Sequence, residues 1–149
     1  MLAPRTLISQ EDIVLAALSP AGGMPYSPVQ VQKLLFLVDR NLAPLLGGPK
    51  FDFQPYHYGP FDKRVYSTLE DLAQRGMVEI TRGSGNWPEY RLTPEGQTRA
   101  AELMTGLDER AQSYLRKVSA FVRSLSFSDL VSAIYKAYPE MRARSVFQE

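Results

Sequence analysis

The stretch Gln54–Gly76, QPYHYGPFDKRVYSTLEDLAQRG, constrains the fold more than any other part of the chain. Tyr56, His57, Tyr58 and Phe61 set four ring side chains around Gly59 and Pro60. Gly-Pro is turn punctuation, so this segment is expected to turn tightly, with Tyr56, His57, Tyr58, Gly59 and Pro60 in a structural role. Asp62 fits an N-cap, its carboxylate taking an amide from the first turn of a following helix. Val65, Leu69, Leu72 and Ala73 then recur at helical period on one face. Gly76 suits the C′ position that ends such a helix, and Met77–Ile80 reads as a short strand after it.

A chain of 149 residues can bury one substantial core and is short for two domains. With 44% hydrophobic and 22% charged residues, the composition is that of a globular protein. No apolar run approaches a membrane span, and the N-terminus lacks a signal-peptide core, so no membrane association and a cytoplasmic location are expected. The absence of cysteine removes disulfide and thiolate chemistry. A net charge of +1, spread without a strongly basic segment, leaves any DNA contact to a local patch.

Around the central stretch the chain reads as follows. Ser9 and Asp12 form a weakened capping box ahead of a stripe of Ile13, Ala16 and Ala17, closed by Pro20–Gly23. Ser27-Pro28-Val29-Gln30 is a stronger helix start, and Val31, Leu34, Leu35 and Val38, widened by Phe36 and Leu37, predict a helix central to the core. Asn41–Lys50, with Pro44, Gly47, Gly48 and Pro49, reads as a connection. Phe51-Asp52-Phe53 alternates like a short strand. Val78–Arg82 and Glu89–Leu92 flank Gly83–Pro88 as a hairpin, and Thr93-Pro94 restarts a helix. Ala111, Tyr114, Leu115, Val118, Phe121, Val122 and Leu125 keep helical period. After a reset at Ser126–Asp129, Leu130, Val131, Ile134 and Tyr135 form the last stripe, broken by Pro139.

The chain shows no catalytic signature. His57 is the single histidine, and its place in an aromatic turn favours packing over catalysis. Without cysteine a zinc site would need several carboxylates, and no such cluster is evident. There is no nucleophile elbow, and Gly83-Ser84-Gly85 lacks the lysine and helix of a phosphate loop. No metal and no cofactor are expected. An enzyme built on His57 and its neighbouring tyrosines is the remotest reading.

Binding residues are easier to nominate. With Val65, Leu69 and Leu72 facing inward, Lys63, Arg64, Ser67 and Gln74 face outward, as does Asp71. Cations in a first helical turn oppose the helix dipole, a cost that a phosphate partner would reverse. Glu70 and Asp71 would repel that partner one turn later. In the hairpin tip, Arg82 could reach a phosphate or a minor groove, Asn86 stands beside it, and an exposed Trp87 would suit a protein partner.

The order VQKLLFL, PYHYGPFDKRVY, LEDLAQRGMV resembles the Panacea antitoxin-like domain family. The match is carried by Gln32, Lys33, Leu34 and Leu35, then Tyr58, Gly59, Pro60 and Tyr66, and covers about half of the chain. The phrase VYSTLEDLAQRGMVEI is separately similar to the recognition helix and first wing strand of PadR-type winged-helix repressors. The first resemblance implies a non-enzymatic regulatory protein of toxin–antitoxin systems that acts by contact with a toxin-like partner protein. The second implies a DNA-binding transcriptional regulator. The family's aromatic-rich helix is FLVDRNLA here, and the Asn41–Phe61 segment far exceeds a helix-turn-helix turn.

The expected architecture is α+β: a mostly helical winged-helix core with a β-hairpin wing over residues 1–106, followed at 107–149 by two added helices. These helices either pack on the core or pair with a second copy. A homodimer is favoured, because a long single-faced helix after a complete domain is hard to cover within one chain.

Overall fold

The computed structural model describes residues 8–148. Over that range the chain is α+β, with six α-helices and two separate two-stranded antiparallel sheets. The helices are α1 (Gln10–Leu18), α2 (Pro28–Leu46), α3 (Lys63–Gln74), α4 (Pro94–Thr105), α5 (Glu109–Ser124) and α6 (Phe127–Ala137). The strands are β1 (Gln54–Tyr56), β2 (Gly59–Phe61), β3 (Val78–Arg82) and β4 (Pro88–Leu92). No helix of the described residues is long and apolar enough to cross a membrane.

Local chemistry sets the helix starts. Ser9 and Ser27 both close reciprocal capping boxes, so two orphan amides at each end find side-chain acceptors. Asp62, Thr93 and Ser126 cap α3, α4 and α6. Gly76, at φ 76°, takes the left-handed conformation that follows α3.

The core is one continuous cluster. Every residue from Ile13 to Leu18 is buried, not only the stripe of Ile13, Ala16 and Ala17, because α1 is flanked by α3, α4 and α5 as well as α2. Val65, Leu69 and Leu72 of α3 are fully buried, as their spacing predicts. Tyr26, just before α2, exchanges backbone hydrogen bonds with Tyr90 of β4 at 2.8 and 2.9 Å. Its buried hydroxyl lies 2.5 Å from Ser119 Oγ, which joins the β3–β4 sheet to α5.

The apolar faces of the last two helices are covered within the chain. Ala111, Leu115, Val118 and Val122 are buried where α5 meets α2 and α1. Leu130, Val131, Ile134 and Tyr135 are buried where α6 meets α2 and β2. The face of α5 is narrower than its periodicity suggests: Tyr114 and Leu125 are half-buried, and Phe121 is 44% exposed. An uncovered apolar face therefore no longer supplies a reason for a second copy.

Three segments differ from expectation. Asn41–Leu46 continues α2, with Pro44 inside the helix and Gly47 as its left-handed cap. Pro44 is exposed, so the amide it withholds costs one hydrogen bond on the solvent side and leaves the packed face intact. Phe51–Phe53 is not a strand; instead, the Asp39 carboxylate accepts the Lys50 and Phe51 amides at 2.8 and 2.7 Å and holds the chain as an ordered bend. The aromatic turn is itself a β-hairpin, pairing Gln54 with Phe61, Pro55 with Pro60 and Tyr56 with Gly59.

Candidate functional site

The aromatic hairpin leans over the N-terminal half of α2 and encloses a cleft of about 400 Å³. Ser27, Pro28, Val29, Gln32 and Lys33 form its helical side. Tyr56, His57, Tyr58, Gly59 and Phe61 form the hairpin side, Tyr66 comes from α3, Trp87 from the β3–β4 tip and Phe127 from the start of α6. The size is that of a small-molecule pocket or a seat for one or two partner side chains.

Each wall has a local cause. Gln32 is buried because its side-chain amide reads the backbone of Asp62, accepting from Asp62 N and donating to Asp62 O, both at 3.0 Å. That clamp fixes the hairpin exit against α2. Asp62 accepts from the amides of Arg64 and Asp52 at 2.9 and 2.8 Å, and from the Arg64 guanidinium. Burial pushes the Asp62 carboxyl up, but these hydrogen bonds outweigh it and leave the group below the ordinary carboxylate range. Among non-glycine residues described, only Asn86 has positive φ, so Gly59 at φ 104° supplies the left-handed step of the hairpin.

The rings stack outward from this base. His57 stacks on Tyr56 with centroids 4.1 Å apart, and Tyr56 on Phe61 at 5.0 Å. Tyr58 meets Phe127 edge-on at 5.1 Å, which couples the hairpin to α6. Four of the exposed large apolar side chains, Tyr56, Tyr58, Trp87 and Phe127, gather on this one cleft. Singly exposed aromatics are ordinary, but a convergence of them marks an interaction site.

At the inner wall stands Lys33, only 3% exposed. Its Nζ donates to Pro60 O at a long 3.4 Å, and no carboxylate pairs with it among the described residues. Burial lowers its pKa to about 7. Gly59 lies against this wall: a Cβ there would sit in ordinary contact, 3.4 Å from the Tyr135 ring and 3.6 Å from Lys33 Nζ, so the left-handed φ and not crowding is what calls for glycine. Tyr135 is buried, and its hydroxyl has no hydrogen-bond partner among the described residues.

Neither a family model nor a curated protein matches this chain.

The residues nominated as partner- or DNA-contacting divide. Lys63, Arg64, Ser67, Gln74, Arg82, Asn86 and Trp87 are all exposed. Trp87 joins the cleft. Arg64 is engaged with Asp62 at 2.8 Å, and Arg82 donates to Asn86 O at 2.9 Å across its own hairpin tip. Ser67 donates to Arg64 O within α3. Of the three cations, only Lys63 has no ion pair or hydrogen bond among the described residues. Tyr56, His57, Tyr58 and Gly59 line the cleft, and Pro60 supplies the carbonyl that meets Lys33.

Sequence reasoning missed Phe127 and the placement of Lys33. A lysine inside the run Val31–Val38, on a helix whose neighbours are apolar, was the available signal for the second. Nothing local signals Phe127, which reaches the site through the packing of α6. Among the described residues no group of three His, Cys, Asp or Glu side chains converges as a metal site would require.

Proposed function

We propose that the chain is a non-enzymatic regulatory binding protein of antitoxin type, acting in the cytoplasm by direct contact with a toxin-like partner protein. The observation that carries this reading is the gathering of Tyr56, Tyr58, Trp87 and Phe127 on one cleft. Tyrosine and tryptophan beside a concave apolar surface are the usual anchors of protein–protein contacts. The order of α1, the Tyr26 bridge, α2, α3 and the β3–β4 hairpin supports a winged-helix reading of the core. A winged helix also serves DNA, and exposed Lys63 in the first turn of α3 keeps a DNA-binding regulator as the second reading. The engagement of Arg64 and Arg82, with Glu70 and Asp71 exposed on the same helix, favours the protein partner.

The test is co-expression with the products of genes adjacent to this one. One of them should arrest growth alone and be neutralised by the full chain. Combined Tyr58→Ala and Trp87→Ala should weaken that complex by on the order of a hundredfold, since each anchor is worth about 1–2 kcal/mol. Duplex DNA binding that ignores these aromatics, with a salt slope lowered by about one in Lys63→Ala, would support the second reading instead.

A further inference from the structure

A buried ammonium without a counter-ion is costly, and the cost falls when an anion reaches it. Lys33 is in that condition, at the wall of an otherwise aromatic and apolar cleft of about 400 Å³. Its one protein partner, Pro60 O, is a neutral acceptor at 3.4 Å, close to the limit of a hydrogen bond. Two donor positions of the ammonium therefore remain for a ligand.

Two acidic side chains, Asp39 of α2 and Asp62 at the hairpin exit, are already committed elsewhere. Asp62 is held by Arg64 and the Asp52 amide, and Asp39 by the Lys50 and Phe51 amides. The remaining polar groups of the cleft are hydroxyls, the Gln32 amide and His57 at the exposed rim. Gln32 is consumed by the Asp62 backbone. Among the described residues Lys33 is thus the single buried cation available to orient a guest, and flat rings on the hairpin side favour an apolar body.

We propose that this cleft is a binding site for a small apolar carboxylate, its carboxylate on Lys33 Nζ and its apolar body between the hairpin rings and Trp87. The site does not depend on the partner-protein reading; it would stand if the chain bound no toxin at all. An occupant there would also cover the exposed anchors of the cleft.

Trp87 is the only tryptophan, so its fluorescence reports the site directly. The full chain is titrated with 4-tert-butylbenzoate and, separately, with 4-tert-butylbenzyl alcohol, which has the same body without the charge. The expected result is saturable binding of the acid at least about tenfold tighter than the alcohol, as a desolvated charge-assisted pair implies. Lys33→Met should abolish the preference while leaving the alcohol bound, and His57→Gln should leave the preference intact. Equal affinity for acid and alcohol overturns the proposal, as does no binding of either. Loss of the preference in His57→Gln, or its persistence in Lys33→Met, overturns it equally. The comparison of acid and alcohol on the unaltered chain decides the point even without a folded variant.

Discussion

The two hairpins are held in opposite ways. The β3–β4 hairpin has five-residue strands and is fastened at its base: Thr93 N donates to Met77 O at 3.1 Å, and Thr93 Oγ1 to Gly76 O at 2.6 Å. The hydrogen bonds of its tip, among the described residues, stay within the tip, through Gly83, Asn86 and Arg82. The β1–β2 hairpin has three-residue strands, too few for a stable ladder, and is held from outside along its length. Gln32 and Lys33 reach it from α2, Phe127 from α6, and Val146 N donates to His57 O at 2.9 Å. A hairpin held from outside along its length can carry a cavity between itself and its neighbours; one fastened at its base and at Tyr26 reaches that cavity only with its tip residue, Trp87.

The sharpest way to break this comparison is at the base of the longer hairpin. A Cβ on Gly96 would lie 1.9 Å from Met77 O, a contact with backbone that no rotamer relieves. Gly96→Ala should therefore destabilise by about 3 kcal/mol or more. A denaturant midpoint close to that of the unaltered chain would mean that the base is not the fastening point.

At the shorter hairpin, Gly59→Ala meets a left-handed φ of 104°, with the Tyr135 and Lys33 side chains at ordinary contact distance. The expected loss is about 1–3 kcal/mol. The cleft should be disturbed more than the fold, so a loss of stability without any change in Trp87 fluorescence would count against the account of this hairpin.

The smallest effect is a slope. Lys33 has a folded pKa of about 7 against an ordinary value of 10.5. Between those values the unfolded chain binds the extra proton, so stability rises with pH, and the cost of the buried charge is fully present below about pH 7. Lys33→Met should be more stable than the unaltered chain at pH 6. That advantage should shrink by at most about 1.4 kcal/mol per pH unit between pH 7 and 9. Parallel stability curves for the two chains over that window would show that Lys33 is not buried as a titrating group.

What was legible in the sequence was local. Ser9, Ser27, Asp62 and Thr93 announce their helices because a cap is a matter of three or four consecutive residues. Val65, Leu69 and Leu72 announce their face by spacing alone. The β1–β2 hairpin stayed hidden because Pro55 and Pro60 sit inside its strands, where proline normally argues against pairing. They are tolerated because this two-stranded sheet has only edges, and anchoring comes from side chains of distant elements. Helix α2 hid its length behind Pro44. The cleft was half legible: Tyr56, His57, Tyr58 and Trp87 were singled out, but as two separate features. Their meeting depends on how the β3–β4 tip and α6 fold back, which no window of sequence contains.

The bond between Val146 and His57 also has a meaning in time. During synthesis, α1, α2 and the β1–β2 hairpin leave the ribosome well before residues 127–147 exist. Until α6 docks on β2 and Phe147 packs against Phe127 and Tyr135, the outer side of that hairpin faces water. The cleft is completed by contacts between residues far apart in the chain, and its Phe127 wall is the last part to be synthesised. A nascent chain would carry the elements of the core before it carried a finished site.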